Sequence, residues 1–555
     1  MQVAEAIVRI LEKEGIEHAF GIPGASINPV YKYLEGSLIK HHLMRHEEAA
    51  VHAADGYYRS SSRIALAICT SGPAATNFLT GLYTASIDSI PLIAITGQAK
   101  ANQLGTDAFQ CIDIVSMAKP VVKKAVCVLD PENIVEILKD AVWTAKEGRP
   151  GPVLLDLPLD VQMKDVHVDL DSYKSLPIER KSPNTQLLQE AVTLLDNAKN
   201  PIIIAGGGVV LSHAEEELLK FAEWMQIPVI TTYMAKGLIP EDHYLNAGMV
   251  GIQVGASSSG NAIFLDSDVV LGIGCRFTDR HTGALDVYKG ERKFIHIDVD
   301  PKEIGKLIKP EIGIESDALE ALKAMLEIVR AQGKRAGSQR VKQIAPMKEQ
   351  SSLKTTFEGE SIDPKNIFAM VDEVFSDNAL FTTGCGLVQI WSGQYQKINK
   401  PRVYLPSGGA GTLGFDIPAA IGASVGANNK KTVCMMGDFG FTFLVEELGV
   451  ASKYHIPIVV IIMNNGYLSL IRQNQKYAYK YEHEVSMEEN LDNIDYVKIS
   501  EGFGCESERV ASYNDLKEAL LKAKKASGPY VIDVIVDREV DCNMGNDLTH
   551  IATFN

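Results

Sequence analysis

The sequence predicts an α/β protein: parallel sheets with helices on both faces, repeated as three doubly wound domains. Three observations point there. Short, continuous, apolar and β-branched runs recur along the chain. Most are followed by a turn rich in Gly, Ser or Asn and then a helical period, the pattern of strands buried on both faces. Two polar stretches cut the chain into three blocks of domain size. A chain of 555 residues also exceeds what one core serves, about 250–300 residues.

The elements follow in order. "MQVAEAIVRILEKEGIEHAF" reads as an amphipathic helix; it has no unbroken apolar core and no small-residue cleavage site, so it is not a signal peptide. "RIALAICTSGPAATNFLTGLYTA" (63–85) is strand, turn, helix, and "IPLIAITGQ" and "GPVLLDLPLD" are further strands of the first block. "PIIIAGGGVVLS", "IPVITTYMAKG", "DVVLGIGCRF" and "KFIHIDVDP" supply the middle block. "TVCMMGDFGFTFLVEELGVASKYHIPIVVIIMNNGY" and "GPYVIDVIVD" supply the third. The polar stretches at 165–186 and 331–366 have linker composition. The expected domains are therefore 1–165, 186–330 and 360–540. A kinship in fold between the first and third is open at this stage.

Composition narrows the function. The net charge of −16 argues against nucleic acid or an anionic membrane as partner, since either needs a basic face. The longest apolar runs, such as "IPIVVIIM", fall well short of the roughly 18 residues a spanning helix needs. The eight cysteines are scattered with no Cys-x-x-Cys pair, which reads as a reduced, cytoplasmic protein without a zinc or redox motif.

The strongest chemical signal is "GDFGFTFLVEELGVASKYHIPIVVIIMNN" (437–465). The strand "TVCMM" delivers Gly437 and Asp438 to its carboxyl end, and "IPIVVIIM" delivers Asn464 and Asn465 to the same edge. Asp438 and Asn465 stand 27 positions apart, one βαβ unit. In an open parallel sheet, ligands bind at that edge. A carboxylate and an amide oxygen, with a backbone carbonyl and phosphate oxygens, suit octahedral Mg²⁺. Gly437 and Gly440 let backbone approach a diphosphate. The alternative is structural: Asp438 caps a helix and the Asn pair makes a turn.

This spacing resembles the thiamine diphosphate motif, which opens Gly-Asp-Gly and closes Asn-Asn; Phe439 stands here at the usual third glycine. Other segments in family order are "GIPGASINP" (21–29), with Gly24, and "TSGPAATN" (70–77), with Asn77. "GCGLVQIW" (384–391) and "GGAGTLGFDIPAAIGA" (408–423) follow. The chain is similar to the acetohydroxyacid synthase and glyoxylate carboligase branch of thiamine diphosphate enzymes. The resemblance implies pyrimidine-binding, central FAD-binding-like and diphosphate-binding domains, and cofactors thiamine diphosphate, Mg²⁺ and a largely non-redox FAD. It also implies a homodimer at least, often a tetramer, with active sites between subunits.

It further implies roles residue by residue. The family places an activating carboxylic acid after an Arg-His pair, and "RHEE" puts Glu47 there with Glu48 one position on. Neighbouring helical side chains diverge by about 100°, so only one of the two points into a pocket; Glu47 is the candidate, against the alternative of a water-facing helix. Asn77 is expected on the pyrimidine side, and Gly384, Gly386, Gln389 and Gly411 near the diphosphate. Leu413 props the cofactor in its bent form. Asp438, Asn465 and Tyr467 would hold the metal. Phe109, Leu470 and Asn474 would shape the substrate pocket; Gln110 would donate to a developing oxyanion. Arg280 would meet the acceptor's carboxylate. For FAD the candidates are Arg149, Gly206, Gly207, Arg276, Asp298 and Asp317; a tight strand-to-helix turn is the alternative reading of that glycine cluster.

Two sets of residues pull the substrate apart. Biosynthetic acetohydroxyacid synthases carry tryptophan in "VRQWQ", where "LIRQNQ" places Asn474. "GDF", "RHTG", "AKPVVKKAVCV", "GMVGIQ" and "NMGNDL" look more like glyoxylate carboligase, and a small polar pocket suits glyoxylate. Glyoxylate carboligases have valine where this chain has Glu47, and "GGAGTLG" lies nearer the synthase form. The expectation is tartronate semialdehyde from two glyoxylates. The alternatives are acetolactate from two pyruvates, a flavin oxidoreductase of the pyruvate oxidase kind, or a protein that only binds its cofactors.

Overall fold

The computed structural model describes residues 1–254, 258–337, 339–352, 362–487 and 494–542. Their strands form three six-stranded sheets whose neighbouring strands all pair in parallel. In the first, the spatial order is Lys40–Leu43, His18–Gly21, Leu66–Cys69, Ile93–Gln98, Val153–Pro158, Lys124–Cys127. In the third it is Tyr404–Pro406, Leu380–Thr383, Thr432–Gly437, Ile458–Asn464, Tyr530–Ile535, Glu506–Val510. Numbered along the chain within each domain, both read 2-1-3-4-6-5. The middle sheet runs Ile312–Glu315, Lys293–Asp298, Val269–Ile273, Pro201–Ala205, Val229–Thr231, Asn246–Met249. Its chain-order reading, taken from the far edge, is 3-2-1-4-5-6, the dinucleotide-binding arrangement. The kinship left open between the first and third blocks is therefore a shared topology, and the middle block differs.

The apolar runs are strands because both their faces are covered. Every residue of Leu66–Cys69, Val153–Pro158 and Ile458–Asn464 is buried. Central parallel strands have no wet face, so alternation gives way to continuous Val, Ile and Leu.

The first and third domains lock through one helix crossing. Helix Glu47–Ser61 lies against helix Asp416–Gly426, and a shared core joins Phe20 and Tyr57 to Ile417, Phe441 and Val460. A Cβ added to Gly422 would stand 1.8 Å from the carbonyl oxygen of Ala53, and one on Gly56 would stand 2.1 Å from that of Ala419. No side chain fits at these positions while the backbones stay this close.

One expectation needs correction. The second polar stretch is not linker throughout: Gln339–Ser352 is a helix. Ile344 is buried, and Val341 and Met347 pack on the middle domain's cores. Three apolar residues at intervals of three make a sufficient stripe, but the Lys, Gln and Arg around them give the segment a linker's composition. Residues 353–361 of that stretch, and the "NMGNDL" motif at 543–548, lie outside the described residues. Among the described residues, no helix is long and apolar enough to cross a membrane.

Candidate active site

In each sheet, two of the loops that the sequence singled out follow the strands flanking the point where strand order reverses. In the first domain these are the loops after His18–Gly21 and Leu66–Cys69; in the third, those after Leu380–Thr383 and Thr432–Gly437. In the middle domain they are the turns at Gly206 and Gly274. Such switch points open crevices at the carboxyl ends of the strands.

The first-domain crevice is built around Glu47. His46 caps the helix, its Nδ1 accepting from Glu48 N at 3.1 Å. Glu47 and Glu48 then occupy the first turn, where the helix dipole favours acids. They diverge as helical geometry requires. Glu48 reaches down its own helix to the buried His52, Oε1 to Nε2 3.3 Å. Glu47 is half-buried and accepts from Asn77 Nδ2 at 2.9 Å. Gly24 holds two loops together: a Cβ there would sit 2.5 Å from Thr70 Cβ. Gly72 does the same against Gln110, whose own φ is +56°. Gln110 thus stands against the loop that leads to Asn77. Phe109, beside it, is 88% exposed.

The third-domain crevice is a cradle of open backbone around one buried carboxylate. Asp438 is 2% exposed. Its Oδ1 accepts from Phe439 N at 2.8 Å and its Oδ2 from Asn465 N and Gly466 N. These bonds fix it at the sheet edge, and burial pushes its pKa up to about 7. A carboxyl group buried this deeply favours a nearby cation. Asn465 is 3% exposed, and its Oδ1 accepts from Ser469 Oγ at 2.7 Å. The Tyr467 ring meets the guanidinium groups of Arg472 and Arg538, 4.8 and 4.5 Å from its centroid. Its backbone carbonyl, which accepts from Ser469 Oγ at 3.1 Å, is the atom it can offer to a metal.

Around this carboxylate the glycines leave room. Gly386 has φ +96° and nothing within 4 Å of an added Cβ, and Gly411 has φ +61°. At Gly437 and Gly440 the nearest atoms to an added Cβ are 3.9 and 3.8 Å away. Leu413 faces Gly440 at 3.9 Å. Gly384 is different: its N–H donates to Asp416, and an added Cβ would strike that carboxylate. Gln389 is buried and binds the carbonyls of Gly384 and Ser407 through Nε2, so it braces the loop from behind. Phe439 packs on Phe443, ring centroids 5.4 Å apart. Leu470 and Asn474 are half-buried on helix Ser469–Asn474, which opens into a π-turn at Gln475–Tyr479.

The middle crevice opens into a cavity of about 970 Å³ lined by Arg149, Gly207, Arg276, Arg280, Asp298 and Asp317 among others. Gly206 does not line it. It packs against Gly274, whose carbonyl oxygen would be 2.2 Å from an added Cβ, and so brings two strand ends together. Asp298 is 8% exposed with its pKa raised by burial to about 6. Burial lowers the pKa of Arg276. Arg149 spans to Ser89 Oγ at 2.9 Å and Glu303 Oε1 at 3.0 Å. Asp317 caps helix Ala318–Gln332 and accepts from Ser212 and Arg180. Arg280 is exposed and lines this cavity, and its charge reaches Cys385 in the loop between Gly384 and Gly386. The cavity is of the size a large cofactor fills, and its glycine turn, buried acid and guanidinium groups suit a dinucleotide.

Sequence reasoning missed three buried groups that hold these crevices: Asp416, Glu447 and the Arg59–Asp88 pair. Asp88 accepts from the N–H groups of Gly408 and Gly409, and so anchors the segment leading to Leu413. A second adjacent pair of glutamates, in "VEELG", was the available signal for Glu447.

Three family descriptions match the chain in order. They are thiamine pyrophosphate enzyme, N-terminal TPP binding domain over residues 1–117; central domain over 188–325; and C-terminal TPP binding domain over 384–534. A glyoxylate carboligase of Escherichia coli O157:H7 is 40% identical, across 100% of this chain and 96% of that protein. A probable acetolactate synthase large subunit of Methanocaldococcus jannaschii is 39% identical, across 97% of this chain and 92% of its own length. An acetolactate synthase large subunit of Corynebacterium glutamicum is 38% identical, across 97% and 87%. Likeness of this length and order, on the crevices just described, means that the chain belongs to the thiamine pyrophosphate enzymes, in the branch shared by glyoxylate carboligase and acetolactate synthase, and is a thiamine diphosphate-dependent carboligase.

Proposed function

We propose that this carboligase joins two glyoxylates, taking up one proton and releasing CO₂, to form tartronate semialdehyde. The observation that carries the reading is Asn474. It is a small, half-buried polar residue on the helix that begins four positions after Asn465. Glyoxylate has no alkyl group, so it needs no apolar wall there. The glyoxylate carboligase relative, 40% identical over the whole chain, fits the same reading.

Thiamine diphosphate, when bound, supplies the electron sink for loss of CO₂ from a 2-oxo acid. The chain's own residues hold and poise it. Glu47, oriented by Asn77, would hold and exchange a proton at its carboxylate with the bound cofactor's pyrimidine nitrogen. Asp438, Asn465 Oδ1 and the Tyr467 carbonyl hold Mg²⁺, and the open backbone at Gly386, Gly411, Gly437 and Gly440 receives the diphosphate. Leu413, facing Gly440, would bear on the bound cofactor from the third domain. Gln110 donates to oxyanion charge, Arg280 meets the acceptor's carboxylate, and Phe109 and Leu470 cover the substrate. The 970 Å³ cavity takes a non-redox FAD through Gly207, Arg149, Arg276, Asp298 and Asp317. The Glu47 cluster and the Asp438 cradle sit in different domains. A homo-oligomer, dimeric at least and tetrameric by family habit, would face one subunit's Glu47 to its partner's cradle. Eight free cysteines suit the cytoplasm.

Glu47 itself favours a second reading, acetolactate from two pyruvates, which the acetolactate synthase relatives at 38–39% identity also support. Steady-state kcat/KM for glyoxylate and pyruvate, with the products identified, separates them. A preference for glyoxylate of about tenfold or more is expected. A comparable preference for pyruvate overturns the first reading in favour of the second.

A further inference from the structure

We propose that Glu447 is a positioning residue for Glu47, holding from the third domain the strand-to-helix turn that aims Glu47's side chain. This rests on the reading of Glu47 as the cofactor-activating acid.

Glu447 ends the turn Val445–Glu447 and is fully buried. Its Oε1 accepts from two consecutive backbone N–H groups of the first domain, Arg45 at 2.9 Å and His46 at 2.8 Å. Those residues immediately precede Glu47. The two N–H groups before them are held as well: Leu43 N donates to Tyr454 Oη at 2.9 Å and Met44 N to Gly21 O at 3.1 Å. Every backbone donor from Leu43 to His46 therefore has an acceptor, and three of the four bonds are accepted by the third domain. His46 then caps the helix that begins with Glu47. An oxygen placed between two N–H groups fixes the plane of both peptides. Without it, two buried donors would need new partners, and the turn would shift to find them.

What the turn needs is an acceptor atom at that distance, not a charge. Oε2 is buried and has no partner among the described residues. Burial pushes the Glu447 pKa up to about 8, and a protonated carboxyl still accepts through its carbonyl oxygen.

That requirement separates two conservative variants. Glu447→Gln keeps an acceptor at full reach and loses the titratable group. Glu447→Asp keeps the carboxyl group and withdraws the acceptor by about 1.5 Å, beyond hydrogen-bond distance. The readout is hydrogen–deuterium exchange at the thiazolium carbon of bound thiamine diphosphate, alongside its affinity and far-UV circular dichroism. Glu447→Gln is expected to keep exchange within about threefold of wild type. Glu447→Asp is expected to slow it at least about tenfold at unchanged affinity, because a shift near 1 Å in a reacting group costs that much or more. The reverse order, or no effect from Asp, overturns the proposal. Glu47→Gln in the same assay locates a failure. If it leaves exchange unchanged, the reading of Glu47 falls and this inference with it. If it abolishes exchange while Glu447→Asp does not slow it, this inference alone falls.

Discussion

The first and third sheets run their strands in the same order, and each places a carboxylate at the start of the helix after its second strand. In the first domain that residue is Glu47, after Lys40–Leu43; in the third it is Asp416, after Tyr404–Pro406. The two helices they begin are the pair that cross at Gly56 and Gly422. Their surroundings differ. Asp416 is 2% exposed, spends its carboxylate on Gly384 N, and has its pKa raised by burial to about 7. Glu47 is half-buried and takes one side-chain amide, from Asn77. Repeating a fold repeats positions, not chemistry. The position closed by backbone in one copy becomes a brace, and the copy left partly open can meet a ligand. The third domain instead spends its open edge on Asp438, Asn465 and the glycines.

Four substitutions test that contrast, in falling order of effect. Glu47→Gln should slow thiazolium exchange by about a hundredfold or more, the range of a lost general acid–base group, with the fold intact by circular dichroism. Should Asp416→Asn do this instead, the division of labour is reversed. Gly422→Ala forces a methyl into the carbonyl of Ala53. Overpacking of this kind costs about 1–3 kcal/mol, read as a lower apparent Tm, and Gly56→Ala should match it. An unchanged Tm in both would mean that the crossing can relax. Asp416→Asn should change activity least, because an amide oxygen still accepts from Gly384 N. Its signature is in pH. The folded chain keeps a proton on Asp416 up to about 7, whereas the ordinary value is 3.8. The native state thus binds more protons across that window, and Asp416 lowers stability as pH rises from about 4 to about 7. The variant lacks that contribution, so its Tm should gain on wild type across the window and run parallel above it. A constant offset would count against a protonated Asp416.

Much of the site was legible in the sequence for a geometric reason. A spacing of one βαβ unit between Asp438 and Asn465 returns both to the same carboxyl edge, so the pair could be placed without coordinates. Neighbouring helical residues diverge, so Glu47 and Glu48 had to part, and the family resemblance, not the geometry, named Glu47 as the candidate. Other readings were too coarse. Gly206 and Gly207 look equivalent in "AGGGV", yet Gly207 lines the large cavity while Gly206 packs on Gly274. Arg280 lines the large cavity, and its guanidinium also acts on Cys385 in the loop between Gly384 and Gly386, a neighbour that no spacing announces. The helix Gln339–Ser352 was hidden by its polar composition.

Glu447 marks the boundary most clearly. Its sequence neighbourhood is an acidic pair on a helix, and its hydrogen-bond partners lie about 400 positions earlier in the chain. The sequence alone determined the class of fold, the carboxyl edges where ligands meet it, and the residue types gathered there, because buried parallel strands and their turns are coded locally. Which carboxylates are braces, which stay open, and what holds Glu47 in place were decided by tertiary structure. Burial and backbone partnership depend on which distant segment packs alongside, and here that segment belongs to another domain.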